Sequence, residues 1–121
     1  MKKQEKDLSV HSFESAGSLR EWLSENHAES DGIWVRIYKK DSGILSVTFE
    51  EVLDEGLCFG WSESMRRKGD DKSYLQRFTP RQMKGTTSAR NREHIRRLIK
   101  EKRMMLSGHL SLGIDKNAVD L

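Results

Sequence analysis

The run Thr48-Phe49-Glu50-Glu51, followed by Val52, Leu53, Gly56 and Leu57, constrains the chain more than any other stretch. A Thr hydroxyl at a helix N-cap accepts from the amide three residues on, and a Glu at that position reaches back to the cap amide, which makes a capping box. Phe49, Val52, Leu53, Gly56 and Leu57 then recur at i, i+3, i+4, i+7 and i+8. They form one apolar helical stripe that must be buried against something. Gly56 costs about 1 kcal/mol of helix propensity against Ala, so its place on the stripe predicts close packing against another backbone. A helix over 49–58 is the element around which the rest has to be arranged.

The neighbouring segments supply partners for it. Residues 8–13 alternate apolar and polar, as a half-buried strand does. Ser15 caps a helix over 16–27 whose stripe is Leu19, Trp22 and Leu23. Ile33, Val35 and Ile37 fall on one face of a strand, with Trp34, Arg36 and Tyr38 on the other. After a turn at 39–43 and the capped helix, Phe59, Trp61, Glu63 and Met65 share one face of a further strand. Lys68 to Asp71 reads as a turn, and Ser73 to Thr79 as the returning strand of a hairpin. Residues 81–87 are expected to be a polar loop, and Ser88 an N-cap for a helix to about Lys102 with the stripe Ile95, Leu98 and Ile99. The tail from Ser107 has weak helical character and is expected to fray. Strands and helices mix without regular βαβ alternation. The expected fold is therefore α+β: a small, mainly antiparallel sheet with a hairpin, flanked by about three helices.

The 121 residues suffice for one domain. No apolar run approaches the length of a membrane span. Met1 to Asp7 precede no apolar segment, so no signal peptide is expected. One cysteine, Cys58, excludes an intrachain disulfide. A cytoplasmic, monomeric protein without a cofactor is the expectation.

The net charge of +3 conceals a division. Residues 1–65 carry 7 Lys/Arg against 13 Asp/Glu, and residues 66–103 carry 14 against 4. Arg92, Arg96, Lys100 and Arg103 lie along one helical stripe within the basic segment 81–103, a pattern that neutralises phosphates and suits nucleic acid or another polyanion. The same stripe also suits a solvated helix face, or internal pairing with the acidic half. Glu50, Glu51, Asp54 and Glu55 are spaced so that pairs one helical turn apart can share a hard cation, although acidic residues early in a helix also favour its dipole. Cys58 lies beside an apolar helix end with no cationic partner visible in sequence, which reads as a small buried hydrophobe. No nucleophile elbow or phosphate loop occurs. Glu63 and Arg77, on the two hairpin strands, suit a cross-strand ion pair.

Several motifs occur together in order. Glu55-Gly56-Leu57-Cys58-Phe59-Gly60-Trp61 resembles the A-L-C-F-G-W-I-D signature of the YdeI/OmpD-associated, or bacteriocin-protection, family. Phe13…Trp22-Leu23…Asn26-His27, Gly32-Ile33-Trp34-Val35…Tyr38-Lys39-Lys40 and Tyr74-Leu75-Gln76-Arg77-Phe78-Thr79-Pro80-Arg81 are similar to its other motifs, as are Ser88…Asn91-Arg92-Glu93 and Leu98-Ile99-Lys100-Glu101…Arg103-Met104. The resemblance covers about residues 10–106. Ser62-Glu63 stands where the family has Ile-Asp, Thr87 where it has Trp, and Lys102 where it has Gly. The resemblance implies a bacteriocin-protection association without an established reaction. The expected function is a protective, non-enzymatic binding module, with an enzyme left as an alternative only through residues that the fold brings together. Its distant similarity to frataxin-like iron chaperones keeps the acidic 50–55 helix as an alternative metal site. The family-like residues gather at Trp61, Glu63, Arg77, Arg81 and Asn91. There Trp61 would supply a stacking surface, the arginines anion contacts and Glu63 an acceptor. The structural alternative puts Trp61 in the core and pairs the arginines with Glu63 and its neighbours.

Overall fold

A computed structural model describes residues 8–81 and 89–112. The expected loop beyond Arg81 and the expected Ser88 cap lie outside them. The N-caps expected at Ser15 and Thr48 form. The Ser15 hydroxyl accepts from the Ser18 amide to start helix α1 (Ala16–Asn26). Thr48 and Glu51 close the capping box of α2 (Phe49–Phe59). The strands are β1 (Val10–Ser12), β2 (Ile33–Tyr38), β3 (Trp61–Asp70) and β4 (Ser73–Pro80), and two further helices follow, α3 (Ala89–Lys100) and α4 (Leu106–Leu112). The sheet order is β1-β2-β4-β3. β1 and β2 run parallel, joined through α1 as a parallel pair requires, and the other pairings are antiparallel. The fold is α+β with a β3–β4 hairpin.

One face of the sheet takes all the helix packing seen in the core. Ile33, Val35, Ile37, Trp61 and Phe78 from the strands form one cluster with Leu19 and Leu23 of α1, Val52, Leu53 and Leu57 of α2, and Ile95 and Leu98 of α3. Gly56 packs closely, as its place on the stripe predicts: a Cβ there would lie 2.8 Å from the Phe78 ring and 3.0 Å from the Trp61 carbonyl oxygen. Strand register puts Trp34 opposite Arg77, and Arg36 opposite Leu75 and, beyond it, Arg67. Those side chains lie on the other face, since successive residues of a strand alternate.

Three boundaries differ from the sequence expectation. Phe59 ends α2 rather than opening a strand, because Gly60 at φ 82° takes the left-handed conformation that stops a helix. The hairpin turn falls at Asp71–Lys72, since β3 absorbs register shifts between Glu63 and Arg66 and between Lys68 and Asp70 and so runs on to Asp70. The segment from Leu106 is helical to Leu112 and docked, with the Met105 amide donating to the Cys58 carbonyl. A Cβ on Gly108 would overlap the Cys58 carbonyl and lie 2.7 Å from that of Leu57, so only glycine allows this approach.

Candidate functional site

The acidic residues of α2 are occupied by the fold. Glu55 is 2% exposed and lies between two arginines. Arg20 Nη1 donates to its Oε1 at 2.8 Å, and Arg103 Nη2 to its Oε2 at 2.7 Å. Arg20 Nη2 also donates to the Arg103 carbonyl at 2.6 Å, which ties α1 to the chain that follows α3. Arg103 reaches Glu55 because α3 ends in a Schellman motif. The Arg103 amide donates to the Leu98 carbonyl and the Lys102 amide to the Ile99 carbonyl, with Lys102 at φ 61°. One residue back, Asp54 accepts from Arg97 Nη2 at 2.8 and 2.9 Å and lies 3.2 Å from His94 Nδ1. Glu51 is the capping carboxylate. The four carboxylates expected as a metal set therefore do not converge: Asp54 and Glu55 face cations, Glu51 faces its own cap, and Glu50 is exposed. No group of three His, Cys, Asp or Glu is placed to hold a metal ion among the described residues.

The basic stripe divides in the same way. Arg92, Arg96 and Lys100 lie exposed along α3, whereas Arg103 turns inward to Glu55 and also bonds Glu101 at 3.2 Å. Internal pairing of acidic and basic segments thus accounts for Asp54, Glu55, Arg97 and Arg103.

The residues expected at the hairpin site are separated. Trp61 is 2% exposed, its ring 5.0 Å from Phe78 and 5.8 Å from Trp22 between centroids, so it is core rather than a stacking surface. Glu63 pairs in register with Phe78, which puts it on the face opposite to Arg77; the anticipated Glu63–Arg77 cross-strand pair does not form for that reason. Arg81 is half-buried, its amide donating to the Gly60 carbonyl at 2.9 Å. Asn91 is half-buried in the first turns of α3. Cys58 is fully buried. Burial pushes its thiol up to about 11 against the opposing pull of Arg20, which makes it a poor nucleophile.

Of the expected site residues, Arg77 alone lies on the second face of the sheet. Trp34 and Leu75 are 6% and 5% exposed there, yet neither belongs to the main core. The Arg67 guanidinium carbon lies 4.3 Å from the Trp34 ring centroid. Arg67 is on β3 and Trp34 on β2, with β4 between them, so the arginine stem must cross β4, whose Leu75 is its register partner. Long basic side chains cover apolar surface in this way while their charge stays in water. Arg36 donates to Ser73 Oγ at 2.7 Å and lies 3.5 Å from Asp70. Among the described residues neither Arg67 nor Arg77 has an acidic partner. At the same end of the hairpin, Arg66 stacks on Tyr74 at 4.2 Å. The sequence signal for this face was the Trp34/Arg36 alternation of β2; combining it with Arg67 and Arg77 requires the register.

No curated protein and no solved structure matches the chain. A family model described as "Domain of unknown function (DUF8412)" matches residues 11–111. The match takes in every strand and helix except the start of β1 and the end of α4, and the chain belongs to that family.

Proposed function

We propose that the protein is a non-enzymatic binding module whose ligand is a polyanion and whose ligand surface is the second face of the sheet, around Arg36, Arg67 and Arg77. One contrast carries the reading. The inward-turned basic residues of the helix layer are matched to carboxylates, Arg97 to Asp54 and Arg103 to Glu55, whereas Arg67 and Arg77 are not. Unneutralised guanidiniums on one surface attract phosphate-bearing chains and release their counterions on contact. The motif order over residues 10–106 further supports a cytoplasmic role of the bacteriocin-protection type.

The test is binding of fluorescent polyphosphate and of a short oligonucleotide at about 50 mM salt. Joint replacement of Arg36, Arg67 and Arg77 by Gln is expected to weaken binding at least about tenfold, with circular dichroism unchanged. Joint replacement of Arg92, Arg96 and Lys100 by Gln on the exposed side of α3 is expected to have a much smaller effect. Equal losses from the two sets, or no binding by the wild type, would overturn the proposal.

A further inference from the structure

The second face of the sheet carries more than charge. Arg67 is exposed while Trp34 beneath it is closed off, so the indole itself is not the available surface. What faces outward is a guanidinium already seated on an aromatic ring, 4.3 Å from its centroid. A guanidinium is planar and delocalised and is weakly hydrated on its faces. With one side against an indole, the other offers a flat cationic plane, and the ordering of a long side chain has been met within the fold. Arg36 lies in the same cross-strand row, on the far side of Leu75. Two strand spacings separate its backbone from that of Arg67, about 10 Å. Arg77 lies in the adjacent row. The face therefore combines one stacking plane and two flanking cations, of which Arg36 also lies 3.5 Å from Asp70.

We propose that this face takes single-stranded nucleic acid, with one base stacked on the outer side of the Arg67 guanidinium that Trp34 holds, and with Arg36 and Arg77 contacting the flanking phosphates. The inference rests on the polyanion reading above and narrows it. A base presents its π-face only when it is unpaired or splayed out; in a duplex the faces are stacked on one another, leaving edges and phosphates. Stacking on arginine or aromatic planes tolerates any base, so the recognition is of single strands rather than of a sequence. An acidic peptide satisfies the cations but has no use for the plane.

The test compares three probes of equal length: oligothymidylate, its abasic phosphodiester counterpart, and a duplex. Poly-glutamate serves as a competitor. The wild type is expected to bind oligothymidylate roughly tenfold more tightly than the abasic chain, with quenching of tryptophan fluorescence. Arg67→Lys keeps the charge and loses the plane. It is expected to bring oligothymidylate down to the abasic level while leaving abasic binding as it was, and the unchanged abasic affinity also reports that the variant is folded. Equal wild-type binding of oligothymidylate and the abasic chain, binding of the duplex as tight as that of the single strand, or competition by poly-glutamate as effective as by DNA would each overturn this inference. In those cases a loss of abasic binding in the Arg36, Arg67 and Arg77 triple variant leaves the polyanion reading standing. Failure of the wild type to bind any probe removes both.

Discussion

Lys102 holds the left-handed backbone conformation that closes the Schellman motif after α3. A residue with a Cβ loses roughly 1–2 kcal/mol there, and glycine is the usual occupant. The position is also where the chain departs from the glycine of the motif it resembles, so the departure has a physical cost. The lysine side chain is exposed, and no contact of the core is lost with it. Lys102→Gly is therefore expected to stabilise the protein by about 1 kcal/mol, the relief of strain exceeding the added entropy of an unfolded glycine. The measurement is the urea midpoint, at unchanged slope. A lower midpoint would mean that the lysine side chain contributes something its exposed position does not suggest. The consequence extends beyond the one residue, because this turn delivers Arg103 to Glu55.

At the scale of elements, α4 and the β3–β4 hairpin are both held by local devices. α4 approaches the end of α2 so closely that Gly108 admits no side chain. Gly108→Ala is expected to push α4 away and to open Cys58, whose carbonyl accepts from Met105. In the wild type Cys58 is buried, and with its thiol at about 11 only on the order of one molecule in a thousand is thiolate at pH 8. Labelling by a disulfide reagent should be slow, and faster by at least about tenfold in the variant if local opening governs access; equal rates would show that α4 does not guard the thiol. At the hairpin turn, the Ser73 hydroxyl and the Lys72 amide donate to Asp70, and Arg36 lies nearby. These contacts hold the carboxyl below its ordinary value, which is about 3.9. The carboxylate thus favours the folded turn. Its contribution is complete above the ordinary value and disappears as pH falls through the lower folded-state one. An NMR titration of the Lys72 amide is expected to show that lower midpoint, and Asp70→Asn to abolish the step. The capped helix α2 and the strand β2 were legible because their signals are local: a hydroxyl and a carboxylate three residues apart, and an alternation of period two. The end of α2 was not, because Leu57 to Trp61 is a continuous run of apolar residues and glycine that suits helix or strand, and only the sign of φ at Gly60 decides it. The candidate face was still less legible. Trp34 and Arg67 meet across an intervening strand contributed by residues 73–80, and the register that aligns them includes two bulges.

For the whole molecule, the division of charge along the chain becomes a division by layer. Acidic α2 is matched to cations of α1, α3 and the chain after α3, so much of the contrast between the two halves is neutralised inside the helix layer. Among the described residues of the outward sheet face, Asp70 faces Arg36, and the guanidiniums left without an acidic partner are Arg67 and Arg77. The two populations of charge should answer differently to salt. Ion pairs that are partly buried are screened far less than exposed charges, and Glu55 is shielded from solvent while its arginines are about two-thirds buried. Raising sodium chloride from about 50 to 500 mM is accordingly expected to change Tm by no more than about 4 °C, the equivalent of roughly 1 kcal/mol for a domain of this size. Over the same range, binding of a single-stranded oligonucleotide is expected to fall with a log–log slope near −1.4, from about −0.7 for each of two phosphate contacts. Differential scanning fluorimetry and anisotropy on the same samples measure both. A steep fall in Tm alongside binding would place the salt-sensitive charges in the helix layer and remove the distinction between a neutralised interior and a cationic face. A flat binding curve would instead mean that the arginines of the sheet contact no phosphates.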